Sequence, residues 1–338
     1  MTEHTLIAVD IGGTKTAAAV TRARLPGTGE ARSPEVVRQV VRPTVTASAD
    51  ACLAALVDSI AGLIDAAGAD AGRPGADGAG RVEGIGVGTA SMVDFAAGRV
   101  VDSVNLPLRD VPLRAVLEER FALPVVVDND ATVATVGEHV FGAGVGVREM
   151  LMLTLGTGVG GGIIAGGRPY RGASGAAGEL GHVMVDVDGP PCPARCPNRG
   201  CLEAYVSGTA MGAAALAEAR AKPASALGRA LAAGEAVDGP LLSRLALDGD
   251  ADAVAVVTRI GEYLGAGLVT LVNVFNPELV VIGGGAAAAG DLLFAPARRV
   301  LAARGLRPQR DEARVVAARF GNDAGLVGAA ALALTELF

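Results

Sequence analysis

A short segment near the amino terminus combines the groups that a chain of phosphates and its metal ion require. In the sequence DIGGTK, Asp10 ends an apolar run and is followed by Gly12, Gly13, Thr14 and Lys15. A nucleoside triphosphate with Mg²⁺ needs a carboxylate near the ion, amide or hydroxyl donors for phosphate oxygens, and often a cation. Glycine also lets backbone N–H groups approach phosphate closely. We therefore predict that these five residues bind a triphosphate and Mg²⁺.

Two further glycine turns follow apolar runs. LGTGVGGG contains Thr157 and Gly158, and VIGGG contains Gly283 and Gly284. Neither the P-loop pattern nor the dinucleotide-binding pattern is present. Any one of these turns could be only a tight hairpin, but their combination favours a nucleotide site.

A third group of polar residues follows the apolar run in VVVDNDA, where Asp128, Asn129 and Asp130 are consecutive. Phosphoryl transfer to a hydroxyl needs an acceptor for the hydroxyl proton, and a carboxylate can serve. The alternative is that Asn129 or Asp130 caps a helix formed by the next segment, ATVATVGEHV. Both interpretations remain open from these residues alone.

Three of the four cysteines lie close together and downstream of a histidine, which indicates a metal site. They are Cys192, Cys196 and Cys201, and His182 is one of three histidines in the chain. Three thiolates and one imidazole form a closed tetrahedral set that suits structural Zn²⁺. The alternative is a buried, hydrogen-bonded histidine beside cysteines that act as small core residues.

Composition limits the partners. A formal charge of −7 and a pI near 5.1 argue against nucleic acid, which normally binds a cationic surface. No apolar run is long enough and uninterrupted enough to suggest a membrane span. The first residues, MTEHTLIAVD, contain no basic region followed by an apolar core and cleavage site, so we expect a cytoplasmic protein.

The hydrophobic pattern predicts an α/β fold. Residues 5–11 and 16–22 read as strands joined by the first glycine turn, residues 49–67 read as an amphipathic helix, and residues 65–82 read as a loop. Buried strands then alternate with helices, which predicts a sheet that binds ligands beyond the carboxyl ends of its strands. The pattern restarts after Asn129, which suggests a second lobe.

These motifs together resemble the ROK family of sugar kinases and repressors. DIGGTK, LGTGVGGG and NPELVVIGGG resemble its phosphate and adenosine motifs, and VDNDATVATVGE, GASGAAGELGH and CPNRGCLE continue the likeness in the same order. The resemblance implies a two-lobed α/β fold of the actin-like ATPase (ribonuclease H-like) type, with ATP and sugar in an interlobe cleft. It implies a small lobe of residues 1–128 joined by a helix of residues 324–338, and a large lobe of residues 129–323 with the zinc loop.

The resemblance also assigns roles. It implies that Asp130 is the catalytic base and binds the sugar, and that Asn129, Glu179, His182 and Glu203 bind sugar hydroxyls. His182 would use its other ring nitrogen on zinc. We expect removal of zinc to harm sugar binding before nucleotide binding.

Several positions depart from the family pattern. Ser91 replaces a glycine in the loop expected to touch the sugar, so we include it among the sugar-binding residues. The spacing between Cys192 and Cys196 is longer than usual, which makes Cys192 the least secure zinc ligand. An added side chain near a sugar hydroxyl can change which sugar is accepted. An N-acetyl-hexosamine or a cyclitol therefore stays open beside glucose.

The expected function is an ATP-dependent hexose kinase that forms glucose 6-phosphate, with ATP, Mg²⁺ and structural Zn²⁺. The alternative from another class is a sugar-binding regulator, since family members include repressors. Repressors carry a winged helix-turn-helix ahead of the kinase-like body, whereas about five residues precede the first predicted strand here. We expect an enzyme, and the resemblance suggests a homodimer or homotetramer.

Overall fold

A computed structural model of the chain describes residues 2–27, 33–71, 80–193 and 196–338. The strands are β1 His4–Ile11, β2 Lys15–Ala23, β3 Glu35–Pro43, β4 Gly84–Thr89, β5 Met92–Asp94, β6 Arg99–Asp102, β7 Val125–Asn129, β8 Met150–Leu155, β9 Val159–Ala165, β10 Arg168–Pro169, β11 Leu279–Gly283 and β12 Arg314–Ala317. The helices are α1 Ala49–Ala71, α2 Leu113–Phe121, α3 Asp130–Phe141, α4 Glu203–Val206, α5 Gly208–Ala221, α6 Ala226–Ala232, α7 Gly239–Leu247, α8 Ala251–Phe275, α9 Asp291–Arg304, α10 Gln309–Glu312 and α11 Ala324–Leu337.

The first sheet has the strand order β3-β2-β1-β4-β7. β1 and β2 form the predicted antiparallel hairpin, while β1, β4 and β7 run parallel. The register places Asp10 beside Gly88 and Gly88 beside Asp128. The polar residues that end β1 and β7 therefore lie at one edge of the sheet, as the sequence predicted.

Alternation along β1 places its two faces against two helices. Ile7, Val9 and Ile11 are buried in a cluster that includes Leu56 and Ile60 of α1. On β4, a Cβ atom at Gly84 would meet the side chain of Leu337 in α11. Successive side chains of a strand point to opposite faces, so this sheet is covered on both sides. The final helix thus packs on the first sheet, as the family resemblance implied.

The second sheet has the order β10-β9-β8-β11-β12, and β8, β11 and β12 run parallel. Gly283, at the end of β11, pairs with Thr154, the residue before the end of β8. The turn after β8 and the glycines after β11 therefore share one carboxyl edge.

The chain divides into two compact units, which differ from the predicted lobes. The first unit contains residues 1–148, 162–178 and 322–338, and the second contains residues 149–161 and 179–321. Our predicted division at residue 128 placed α3 in the second lobe. In the structure α3 groups with the first unit because it packs against α11, where a Cβ atom at Gly137 would lie 2.8 Å from the Cα atom of Gly328.

The helix boundaries near residue 70 also differ from the prediction. α1 continues to Ala71, so the first part of the predicted loop at residues 65–82 is helical. Residues 72–79 of that loop lie outside the described part of the chain.

Two helices are long and apolar enough to cross a membrane by length and composition, namely Ala49–Ala69 and Ala251–Phe275. The helices in the core of a soluble protein meet the same criteria. Within the described residues, Leu56, Ile60 and Leu63 of the first helix pack in the cluster that includes Ile7 and Val9. We attribute its apolar character to this packing, and α8 likewise buries Leu264, Leu268 and Leu271.

Candidate active site

The first glycine turn joins β1 to β2 and is fastened by neutral groups. The N–H of Gly12 donates to the carbonyl oxygen of Lys15 over 3.0 Å. The hydroxyl of Thr44 donates to the carbonyl oxygen of Gly12 over 2.7 Å. Thr44 also lies 2.9 Å from the hydroxyl of Thr16. This segment therefore does form a tight hairpin turn, which was the alternative interpretation of the sequence. The N–H of Gly12 is used in a hydrogen bond within that turn.

Asp10 is a largely buried carboxyl group at the end of β1. Burial raises its pKa, because a low-dielectric environment disfavours the charged form, and the nearby Lys15 charge partly opposes this. A Cβ atom at Gly325 would collide with Asp10, so the start of α11 packs directly against it. Such an unfavourable charge at a strand end is expected where a cation binds.

The second glycine turn, at residues 156–158, is held by groups from α4 and α5. The N–H of Val159 donates to Oε2 of Glu203 over 2.7 Å. The hydroxyl of Thr209 donates to the carbonyl oxygen of Thr157 over 2.8 Å. The N–H of Gly208 donates to the carbonyl oxygen of Gly156 over 2.7 Å. The turn and the residue after it are therefore held by three hydrogen bonds to one helical segment, which consists of the consecutive helices α4 and α5.

Gly284 packs against the backbone of Leu155, the residue before the second turn. Its φ of +86° is in a region that favours glycine, and an added Cβ atom would lie 2.5 Å from the carbonyl carbon of Leu155. The structure thus brings the predicted residues Thr157, Gly158, Gly283 and Gly284 to one edge of the second unit.

The residues predicted as sugar and catalytic groups begin α3. Oδ1 of Asn129 accepts from the N–H groups of Ala131 and Thr132 over 2.9 and 3.1 Å, so Asn129 caps this helix. Its amide nitrogen donates to the carbonyl oxygen of Ser91 over 3.2 Å. Asp130 follows in the first turn of α3, where the helix dipole favours a carboxylate. Oδ1 of Asp130 also accepts from the N–H of Ala131 over 2.9 Å, so both side chains contact the first turn of α3.

An ion cluster around the buried Asp128 lies next to these residues. Nε of Arg171 donates to Oδ2 of Asp128 over 2.7 Å, and its Nη2 donates to Glu336 over 2.8 Å. The guanidinium carbon also lies 3.5 Å from the centre of the Phe95 ring. Burial raises the pKa of Asp128, and Arg171 opposes that rise. Oδ1 of Asp128 accepts from the N–H of Asn129, so the cluster fixes the backbone that leads to Asp130.

Ser91, the unusual residue of the sugar loop, is buried. Its hydroxyl lies 3.1 Å from the hydroxyl of Thr89, and its carbonyl oxygen accepts from Asn129 as described above. The hydroxyl that distinguishes this chain from the usual glycine is thus occupied within the first unit.

The predicted metal ligands meet in the second unit. The ligand atoms of His182, Cys192, Cys196 and Cys201 all lie within 4.8 Å of one another. Nδ1 of His182 lies 3.4 Å from Sγ of Cys192, and Sγ of Cys196 lies 4.0 Å from Sγ of Cys201. Tetrahedral Zn²⁺ with its usual bond lengths places such atoms roughly 3.5–3.8 Å apart. The donor set and spacing fit this ion despite the longer Cys192–Cys196 interval.

Without a cation, burial disfavours the thiolate forms of Cys192 and Cys201. Burial and the neighbouring thiols raise the pKa of Cys192 above the ordinary range, and burial also raises that of Cys201. A bound cation reverses this preference, because thiolates are the metal ligands. The other ring nitrogen of His182, Nε2, lies 3.7 Å from Oε2 of Glu179. Glu179 and this nitrogen thus face each other outside the cluster.

The predicted site residues are divided between the units. Asp10, Ser91, Asn129, Asp130 and the first glycine turn belong to the first unit. Glu179, His182, Glu203, the cysteines and the other glycine turns belong to the second unit.

Sequence reasoning missed two groups at these sites. Arg171 is 43 residues from Asp128 and 165 residues from Glu336, so no local pattern signals the cluster. Thr44 is 32 residues from Gly12 and follows an ordinary edge strand.

Comparison with known proteins decides the family. The family model described as "ROK family" matches residues 6–336. The chain belongs to the ROK family. Among curated ROK relatives, it is 39% identical to a glucokinase of Streptomyces coelicolor over 334 residues, which covers 97% of this chain and 96% of that protein. It is also 31% identical to a xylose repressor of Caldicellulosiruptor bescii, covering 75% of this chain but 63% of the repressor.

A solved structure gives the same family and fold. A ROK glucokinase from Streptomyces griseus, in complex with glucose and AMPPNP, superposes with a TM-score of 0.78 at 36% identity. The match covers 97% of this chain and 98% of that one. The ROK chain therefore has the actin-like ATPase fold that its motifs predicted, with mixed α/β sheets.

Proposed function

We propose that this protein is an ATP-dependent sugar kinase whose acceptor is glucose and whose product is glucose 6-phosphate. The observation that carries the proposal is similarity along 97% of the chain to a glucokinase. The chain also retains the carboxyl groups such a reaction needs, Asp10 and Asp130, each at the carboxyl edge of the first sheet. The protein is proposed to act in the cytoplasm as a homodimer or homotetramer.

Asp130 is the proposed catalytic base. Its carboxylate accepts the proton of the attacking sugar hydroxyl while the hydroxyl oxygen bonds to the γ-phosphorus. The bond from that phosphorus to the β,γ-bridging oxygen breaks, and ADP leaves. The Arg171 cluster holds the backbone before Asp130, and Asn129 fixes the start of α3, so the base has a defined position. Asn129, Glu179, His182 and Glu203 are the proposed sugar contacts.

Phosphate binding is assigned to the glycine turns. Thr14, Lys15 and Gly13 of the first turn, and Thr157 and Gly158 of the second, are the proposed donors to phosphate oxygens. Asp10 would hold Mg²⁺, directly or through water, and this ion neutralises phosphate charge. Gly283 and Gly284 are proposed to lie on the adenosine side.

Zinc has a structural role in this proposal. His182, Cys192, Cys196 and Cys201 would hold Zn²⁺, and a closed set of four ligands leaves no position for catalysis. The metal would order the loop that carries Glu179 and leads to Glu203.

The geometry at Ser91 removes one reason for proposing an acceptor other than glucose. The departure from glycine raised the possibility of another sugar, but the Ser91 hydroxyl pairs with Thr89 inside the first unit. An inward hydroxyl does not add a new group to the sugar surface. Assays with glucose, mannose, N-acetyl-hexosamines and a cyclitol, each with ATP and with polyphosphate, test this choice. Preference for an N-acetyl-hexosamine or the cyclitol would replace glucose as the substrate.

The proposal is tested by Asp130→Asn. Loss of the base lowers kcat by roughly 10²–10⁴-fold, while binding of AMPPNP and glucose is retained. Asp58→Asn, an exposed carboxylate on α1, is the matched control and keeps the wild-type rate. A folded Asp130→Asn protein that phosphorylates glucose at the wild-type rate contradicts the assignment.

A further inference from the structure

The carboxylate of Glu203 connects the metal-binding segment to the second glycine turn. Glu203 is 7% exposed, and it lies two residues after the metal-ligand candidate Cys201. Its Oε2 accepts the Val159 N–H over 2.7 Å. Its Oε1 lies 4.0 Å from Sγ of Cys192. One side chain therefore contacts both the Cys/His cluster and the backbone that follows the turn.

The glycine at position 158 fits this contact. A Cβ atom there would lie 2.5 Å from Oε2 of Glu203. Real Cβ atoms do not approach oxygen so closely, so a residue with a side chain would displace either the turn or the carboxylate. Gly158 is thus required by the position of Glu203 as well as by access to phosphate.

The same helical segment makes two more bonds to the turn. Thr209 and Gly208 donate to the carbonyl oxygens of Thr157 and Gly156, as described above. Of the three bonds, the one from Val159 has a carboxylate acceptor and is buried. Hydrogen bonds to ionised groups are roughly twice as strong as neutral ones. Glu203 is therefore the strongest single support of this turn.

We infer that Glu203 is a positioning residue for the phosphate-binding turn at residues 156–158, and that ordering of the Cys/His cluster sets nucleotide affinity through it. This inference rests on the proposed kinase function. It differs from the expectation that metal loss harms sugar binding first, because the carboxylate belongs to both sites. A sugar-binding role for Glu203 is compatible with it, since Oε1 is not the oxygen that Val159 uses.

Binding measurements without sugar separate the two roles. The dissociation constant of Mg²⁺–AMPPNP is measured by calorimetry for the wild type, Glu203→Ala, Glu203→Gln and the matched control Glu235→Gln. Glu203→Ala leaves the buried Val159 N–H without its acceptor and weakens AMPPNP binding roughly tenfold. Glu203→Gln supplies an amide oxygen and restores most of the affinity. Glu235→Gln leaves AMPPNP binding unchanged, because Glu235 is exposed in the connection between α6 and α7.

Amide hydrogen exchange reports directly on the hydrogen bond from Val159 to Glu203, which an activity measurement does not. The Val159 amide exchanges faster in Glu203→Ala than in the wild type and slowly again in Glu203→Gln. If Glu203→Ala does not fold, Glu203→Asp is used, since its shorter side chain cannot reach Val159 without movement. Unchanged AMPPNP affinity and unchanged Val159 exchange in the folded variant overturn the inference.

The role of the metal is tested by removing Zn²⁺ from the wild-type protein and adding it back. Elemental analysis first gives the zinc content, and a chelator then removes the metal before Zn²⁺ is added back. We expect weaker AMPPNP binding and faster Val159 exchange after removal, with both restored by Zn²⁺. Equal AMPPNP affinity with and without Zn²⁺ overturns the coupling. A wild-type protein that binds no AMPPNP would instead refute the proposed function, so the two failures are distinguishable.

Discussion

The turn at residues 12–14 and the turn at residues 156–158 both follow an apolar strand, yet different chemistry holds them. Neutral hydroxyls of Thr44 and Thr16 fasten the first. A buried carboxylate, Glu203, fastens the second. The first turn is supported by residues of its own sheet and the connection that follows it. The second turn is supported by a helical segment that begins beside the metal ligands.

The difference indicates separate sources of order for the two turns. The hydroxyls that hold the first turn come from β2 and from the residue that follows β3. The second requires that a segment 44 to 52 residues away is in place. The carboxyl groups of the two regions also differ in role, since Asp10 is the proposed Mg²⁺ ligand, whereas Glu203 accepts a hydrogen bond from the backbone of Val159.

The largest expected effect of breaking this arrangement is at Gly284. Gly284→Ala introduces a Cβ atom against the backbone of Leu155 and forces an unfavourable φ, which should cost roughly 2–6 kcal/mol of the free energy of unfolding. Because Leu155 precedes the second turn, AMPPNP binding should fall as well. Chemical denaturation and calorimetry measure both quantities.

Gly285→Ala is the matched control for that change. A Cβ atom at Gly285 meets nothing within 4 Å, so stability should be close to wild type. If the two alanine variants are equally stable, the packing beneath the second turn is not as described.

Loss of the charge at Asp10, before the first turn, should have opposite effects on activity and on stability. Asp10→Asn removes the carboxylate proposed to hold Mg²⁺, and activity should fall roughly 10–100-fold. The same change should raise stability at neutral pH, because burial raises the pKa of Asp10 and so the charged form costs folding free energy there.

The pH dependence of this stability gain follows from the raised pKa of Asp10. A carboxyl group with a raised pKa in the folded state lowers stability as pH rises through the ordinary and then the raised pKa, and at lower pH both states hold the proton. The stability gain of Asp10→Asn should therefore disappear in acid, below the ordinary carboxyl range. Thermal unfolding across pH measures it. A variant that is less stable than wild type at neutral pH would contradict the account of Asp10.

The smallest expected effect sharpens the comparison between the two turns. Thr44→Val removes the hydroxyl that donates to Gly12, which should cost about 1 kcal/mol of the free energy of unfolding. Its matched variant is Thr209→Val, which removes the hydroxyl donor to Thr157. Hydrogen exchange should quicken near residue 12 in the first variant and near residue 157 in the second. Equal changes at both turns in either variant would show that they are not held separately.

Local patterns predicted the elements and the family but not the supports of the site. Strand β1, its hairpin with β2 and the start of α1 at Ala49 were predicted because periodicity and glycine turns are properties of neighbouring residues. The four metal-ligand candidates were also found, since a thiol cluster is visible in the sequence. The partners of Asp128 were not, because Arg171 and Glu336 meet it only through tertiary packing.

The boundary between the two compact units was likewise not predictable from local sequence patterns. The restart of the pattern after Asn129 predicted a lobe boundary there, whereas α3 packs on α11 through close contact of Gly137 and Gly328. A contact between helices so far apart in the chain leaves no signal in the periodicity of either one.

Amide hydrogen exchange with and without Mg²⁺–AMPPNP tests the central claim, that both glycine turns bind the phosphates of one nucleotide. The account predicts slower exchange in peptides covering residues 10–16 and residues 155–160 when AMPPNP binds, with little change across α7. Binding of AMPPNP with protection at neither turn, or at only one of them, would contradict it.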